Sequence, residues 1–168
     1  MTESLRSLTP KLTALGALLA LLAAAWYGWH QWTAPPAEVL LPRAACDLNA
    51  GPCTEALPNG ATVRFAISPH PIPVMEDLTL SARFTGETPD RVAVDLNGTT
   101  MKMAANQPQL LPVGKQDFEG QTALSVCITG AMQWQALLAV DYGRTRYLLP
   151  FVFDSAHAND APAPAPLK

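Results

Sequence analysis

LTLSARF, residues 78–84, decides the fold class. Leu78, Leu80, Ala82 and Phe84 fall on one side of an extended chain and Thr79, Ser81 and Arg83 on the other, the two-residue period of a strand with one wetted face. Neighbouring stretches repeat the pattern. In ATVRFAI, Val63, Phe65 and Ile67 alternate with Thr62, Arg64 and Ala66; in RVAVDL, Val92, Val94 and Leu96 alternate with Arg91, Ala93 and Asp95. TALSVCI, MQWQALLAVDY and TRYLLPFVF follow, with turn signals at Thr129-Gly130 and Tyr142-Gly143-Arg144. Short strands spaced about eight to twelve residues apart, with no amphipathic helix among them, predict an all-β fold, an antiparallel immunoglobulin-like β-sandwich.

Outward from that core, the two ends of the chain differ in character. From Leu12 to Ala37 there is no Asp, Glu, Lys or Arg. Residues 12–32, LTALGALLALLAAAWYGWHQW, are predicted as a single transmembrane helix, since a helix of that length spans roughly 30 Å. Arg6 and Lys11 precede it and the next basic residue is Arg43, so the positive-inside rule puts residues 1–11 in the cytoplasm and the remainder in the periplasm of a bacterial inner membrane. Trp26, Tyr27, Trp29 and Trp32 would sit at the outer headgroup layer. A cleaved signal peptide is the competing reading, because Ala23-Ala24-Ala25 has the A-x-A pattern. Residues 33–45 read as a Pro/Ala-rich tether, 46–154 as the periplasmic β-sandwich domain, and 155–168, ending APAPAPLK, as a disordered tail.

Charge and motifs exclude several function classes. The formal net charge is -3, with 11 Lys and Arg in 168 residues and no basic stripe, so no nucleic-acid partner is expected. No HExxH, GxSxG, P-loop or paired CxxC occurs, and His30, His70 and His157 are not at ligand spacing from one another. A Cys127–His70 couple lacks an orienting third group. An enzyme is not expected.

Sulfur supplies what remains. Cys46 and Cys53 flank the turn-rich DLNAGP, a spacing that closes a disulfide if the backbone brings the Cα atoms within about 7 Å. Met101 and Met103, in VDLNGTTMKMAAN (Val94–Asn106), share one side of an extended segment beyond a turn expected at Asn97-Gly98. Met132 follows Cys127 across ITGA. If TALSVCI and MQWQALL pair as a hairpin, Cys127 and Met132 share its end, and Met101 and Met103 would complete a set of soft donors suited to copper(I). The competing account makes the methionines gap-fillers of the core.

The combination CDLNAGPC, PHPIPVM, VDLNGTTMKMAAN and VCITGAMQW resembles a group of bacterial inner-membrane-anchored periplasmic proteins with an immunoglobulin-like domain, some linked to Sco/SenC-type copper handling. The resemblance covers roughly Cys46 to Phe153 and rests on an M-x-M-x-x-N element (Met101, Met103, Asn106) and a C-x4-M-x-W element (Cys127, Met132, Trp134). Ala104 and Gln107 depart from the Gly and Arg of that pattern. The resemblance implies a periplasmic location and an association with copper. Two functions therefore stand as expectations. One is a membrane-anchored module that holds or hands on Cu(I) through Met101, Met103, Met132 and Cys127. The other is a metal-independent accessory module that docks on a membrane protein complex through a sheet edge or the PHPIP loop.

Overall fold

The computed structural model of the protein describes residues 3–125 and 132–155, with side chains from Leu15 onward. The chain divides after Pro35 into two units. The first is a helix, α1 (Glu3–Thr33). Leu and Ala favour it, and Pro35-Pro36 forbid its continuation. Thr33 closes the last turn by donating its hydroxyl to the carbonyl of Trp29, 3.0 Å away.

The transmembrane expectation fails here. Among the described residues, no helix is long and apolar enough to cross a membrane. The Leu/Ala-rich run from Ala14 to Ala25, broken only by Gly16, is 12 residues, about 18 Å at helical rise and well short of a bilayer core. Beyond it, Tyr27, Gly28, His30 and Gln31 dilute the tryptophans with polar groups. The single-pass topology, the inner-membrane location and the periplasmic placement that depended on that span fall with it.

The second unit is a β domain. Its strands are β1 (Ala37–Leu40), β2 (Cys53–Ala56), β3 (Thr62–Ser68), β4 (Asp77–Thr85), β5 (Arg91–Gly98), β6 (Gln109–Pro112), β7 (Asp117–Ala123), β8 (Met132–Tyr142) and β9 (Thr145–Ser155). They form one sheet in the order β1-β9-β8-β5-β6-β7-β4-β3-β2. All neighbours are antiparallel except β1 and β9, which run parallel.

This corrects the immunoglobulin-like sandwich, whose two sheets are separate. Here a single nine-stranded sheet curls on itself, and β6 is where it bends. Gln109 and Leu110 pair with β5, whereas Leu111 and Pro112 pair with β7, so one short strand changes partner at its middle. Gly120 of β7 makes room: a Cβ there would lie 3.2 Å from the carbonyl oxygen of Gln109 and 3.4 Å from the Leu110 side chain.

Curling brings the inward side chains of the two sheet halves together. Val63, Phe65 and Ile67 of β3, Leu78, Leu80 and Phe84 of β4, and Val92, Val94 and Leu96 of β5 are all buried with Trp134, Leu138 and Phe151. The rings of Phe65 and Phe151 lie 5.1 Å apart although their strands are far apart in the sheet order. Phe84 and Phe118 meet edge to face at 5.6 Å, a favoured aromatic geometry.

Two segment readings change as well. The proposed tether of residues 33–45 contains β1, and its continuation stays attached to β9, with the N–H of Ala44 donating to the carbonyl of Pro150. Alternation carries no weight in four residues flanked by prolines, so only the pairing reveals this strand. TALSVCI is not a strand throughout. β7 begins earlier, at Asp117, and ends at Ala123; its neighbours are β4 and β6, while those of β8 are β5 and β9. The described parts of the two segments, β7 and β8, are therefore not paired as the expected hairpin. Cys127 lies outside the described residues, as does the proposed tail beyond Ser155.

The structure joins Cys46 to Cys53 with Cα atoms 5.9 Å apart. The bridge holds the loop around Leu48, itself fully buried, against the β2 edge. Asn49 extends this clasp by donating its side-chain amide to the carbonyl of Asp154 at 2.7 Å and accepting the N–H of Ile72 at 2.9 Å. Closing so short a loop restricts the unfolded chain by an amount worth about 2 kcal/mol. A Cys46→Ala/Cys53→Ala variant is expected to lose roughly that much stability in urea unfolding, and an unchanged midpoint would show that the bond contributes nothing.

Candidate functional site

Two regions bear on function: the corner that holds the methionines and the outer face of β5, β8, β9 and β1.

At the corner, β5 continues through the Asn97-Gly98 pair that the sequence marks as a turn, and Gly98 pairs with Trp134. The chain then folds back in a loop. Asn97 organises it by accepting the N–H of Met103 through Oδ1 at 2.8 Å. A Cβ on Gly98 would lie 2.5 Å from the carbonyl oxygen of Met101, 3.0 Å from Cε of Met132 and 3.3 Å from its Sδ. Only glycine allows that approach. The topology thus does bring the Met101 segment over Met132, but Met132 is a buried residue, 7% exposed, with its thioether packed against Gly98. Met103 leans half-buried on the core. Met101 is 48% exposed.

The other motif residues hold the fold. Asn106 donates its amide to the carbonyl of Ala123 at 2.9 Å and accepts the hydroxyl of Thr122 at 2.7 Å, tying the loop to β7. The indole N–H of buried Trp134 donates to Oγ of Ser155 at 2.9 Å, so a ring that needs a partner when buried has one. Among the described residues, no group of three or more His, Cys, Asp or Glu could hold a metal. With Met132 used in packing and no such group among the described residues, the description of this chain as a copper-binding protein is withdrawn.

The outer face of β5, β8, β9 and β1 carries a trough of about 360 Å³. Its floor is apolar, formed by Ala93, Leu137, Ala139 and Leu148, and its charged lining includes Glu38, Arg91, Asp95, Asp141 and Arg146. Pairing aligns these groups in rows: Arg91 stands opposite Asp141 and Asp95 opposite Leu137, and Asp141 opposite Arg146. Arg146 donates from Nε at 2.7 Å and from Nη2 at 2.9 Å to the two oxygens of Asp141, a fork geometry suited to a carboxylate. Its Nη1 lies 3.7 Å from Glu38. The hydrogen bond to Asp141 holds the guanidinium pKa above its ordinary value, against the opposing effect of burial.

Asp95 is different. Its Oδ2 accepts from Nε2 of Gln107 at 3.1 Å. Its Oδ1 is buried with no hydrogen-bond partner among the described residues. Sequence alternation puts Asp95 on the outer face of β5, yet nothing local marks it, because the trough is assembled from strands that are far apart in the chain.

The PHPIP loop is partly built into the domain. Ser68 to Pro71 are exposed, whereas Ile72 is fully buried and fixed by Asn49.

No family model and no curated protein matches the chain. A solved structure of a DUF4785 family protein from Legionella pneumophila subsp. pneumophila str. Philadelphia 1 is similar at 13% identity and a TM-score of 0.41, over 58% of this chain and 28% of that one. So slight a likeness assigns neither class nor role.

Proposed function

We propose that the β domain is a metal-independent interaction module that takes up an extended segment of a partner protein as an added strand along β1. The supporting observation is the state of that edge. Ala37 and Leu41 donate their N–H groups to the carbonyls of Arg144 and Leu148. By strand alternation the N–H and C=O groups of Glu38 and Leu40 then point away from β9. All four residues of β1 are exposed, with Leu40 at 69%. Pro35, Pro36 and Pro42 flank the strand, limiting the open edge to a short window and guarding it against unspecific pairing. Main-chain hydrogen bonds at such an edge supply affinity, and side-chain pockets beside it supply selectivity.

The test uses the edge chemistry directly. A photo-crosslinking residue replaces Leu40 in the full-length chain, expressed in its native cells. A discrete crosslinked protein is expected, and introducing Glu38→Pro, which removes an outward donor while leaving the β9 ladder intact, is expected to reduce its yield at least tenfold. Equal yields with and without the proline would overturn the reading.

A further inference from the structure

Asp95 presents a second problem of recognition, independent of the β1 edge. A carboxylate oxygen cut off from water and left without a donor is unfavourable in the free protein, so the group gains most from a ligand that supplies the missing donor. The cations of the trough do not supply it. Arg146 is occupied by Asp141 and reaches toward Glu38. Arg91 lies four residues from Asp95 on the same strand, about 13 Å along an extended chain. The acid is thus left uncompensated at one end of an apolar-floored cavity.

We propose that the trough is a seat for a lysine side chain of a partner protein, with its ammonium on Asp95 and its alkyl stem along Ala93, Leu137 and Ala139. Three features select lysine. Gln107 already holds Oδ2, which leaves one oxygen and favours a compact ammonium over a bidentate guanidinium. The apolar floor suits a four-carbon stem. The volume of about 360 Å³ lies at the small end of ligand pockets. The terminal torsion of Asp is soft, so the carboxylate turns Oδ1 toward the cavity without moving β5, and the flexible side chain of Gln107 follows Oδ2 as it turns.

The test compares two extended peptides, identical except for a central lysine or norleucine, titrated into the isotopically labelled full-length chain. Amide shifts at Ala93, Asp95, Leu137 and Ala139 are expected with the lysine peptide, and affinity at least tenfold weaker with norleucine. Asp95→Asn is expected to abolish the difference. Gln107→Arg keeps the carboxylate but places a guanidinium beside it from within the chain, and is expected to block the lysine peptide. It serves as the second variant should Asp95→Asn perturb folding. Equal binding of both peptides, or lysine selectivity that survives both substitutions, would overturn the proposal. Spermidine binding more tightly than the lysine peptide would overturn it in favour of a free polyamine. The result is separable from the edge reading: Leu40→Pro, which alters β1, is expected to leave the peptide shifts unchanged.

Discussion

Phe151→Ala is expected to lower the unfolding free energy of the β domain by about 4 kcal/mol, within the range for truncating a fully buried phenylalanine. Its ring is fully buried and stands 5.1 Å from that of Phe65, joining two strands that lie near opposite ends of the sheet order. The loss combines transfer free energy with a cavity where the two halves of the curled sheet face each other. Since domains of this size carry roughly 5–15 kcal/mol in total, the variant should be marginal at 37 °C. Urea denaturation followed by tryptophan fluorescence measures the change, with Trp134 as the buried reporter. A loss below about 1 kcal/mol would mean that the halves are not held by this contact.

Gly98→Val should be almost as damaging, at about 3 kcal/mol for overpacking that forces backbone movement. The first atom it meets is the backbone carbonyl oxygen of Met101 at 2.5 Å, and the next are Cε and Sδ of Met132. A flexible thioether yields more easily than backbone. Adding Met132→Ala to Gly98→Val should therefore restore little stability, because it relieves only the side-chain contact and opens a cavity of its own. Full rescue by Met132→Ala would show that the loop carrying Met101 is free to move aside.

The fold was legible in the sequence where burial alternates cleanly. β3, β4 and β5 bury Val63, Phe65, Ile67, Leu78, Leu80, Phe84, Val92, Val94 and Leu96, and these are the apolar positions of ATVRFAI, LTLSARF and RVAVDL. β7 was not legible, because DFEGQTA buries only Phe118 among its seven residues and contains a glycine required by the close passage of β6. β1 was hidden among prolines. The apolar N-terminal segment reads as a membrane span when its Leu/Ala run is added to the aromatic cluster, but polar groups in that cluster leave the described helix short of one.

The candidate sites divide in the same way. Met101, Met103 and Met132 stand out in a sequence because methionine is scarce, yet whether a thioether is a free donor or a packed side chain depends on what lies against it. At Met132 that is Gly98 and the loop beyond it. Asp95 is one acid among 14 acidic residues, and it becomes distinctive only because Gln107 satisfies one of its oxygens while Arg146 is held by Asp141.

Alternation is a local property: β3, β4 and β5 each carry their own two-residue period, so the sequence alone determined that the domain is built on strands and which side chains of those three are inward. Which strands are neighbours depends on hydrogen bonds between segments that are often dozens of residues apart, and alternation is the same for every possible order. The tertiary structure therefore decided that the sheet is continuous, that β6 bends it, that Cys46 and Cys53 meet, and that Asp95 lines an apolar-floored trough with one oxygen bonded to neither of its arginines.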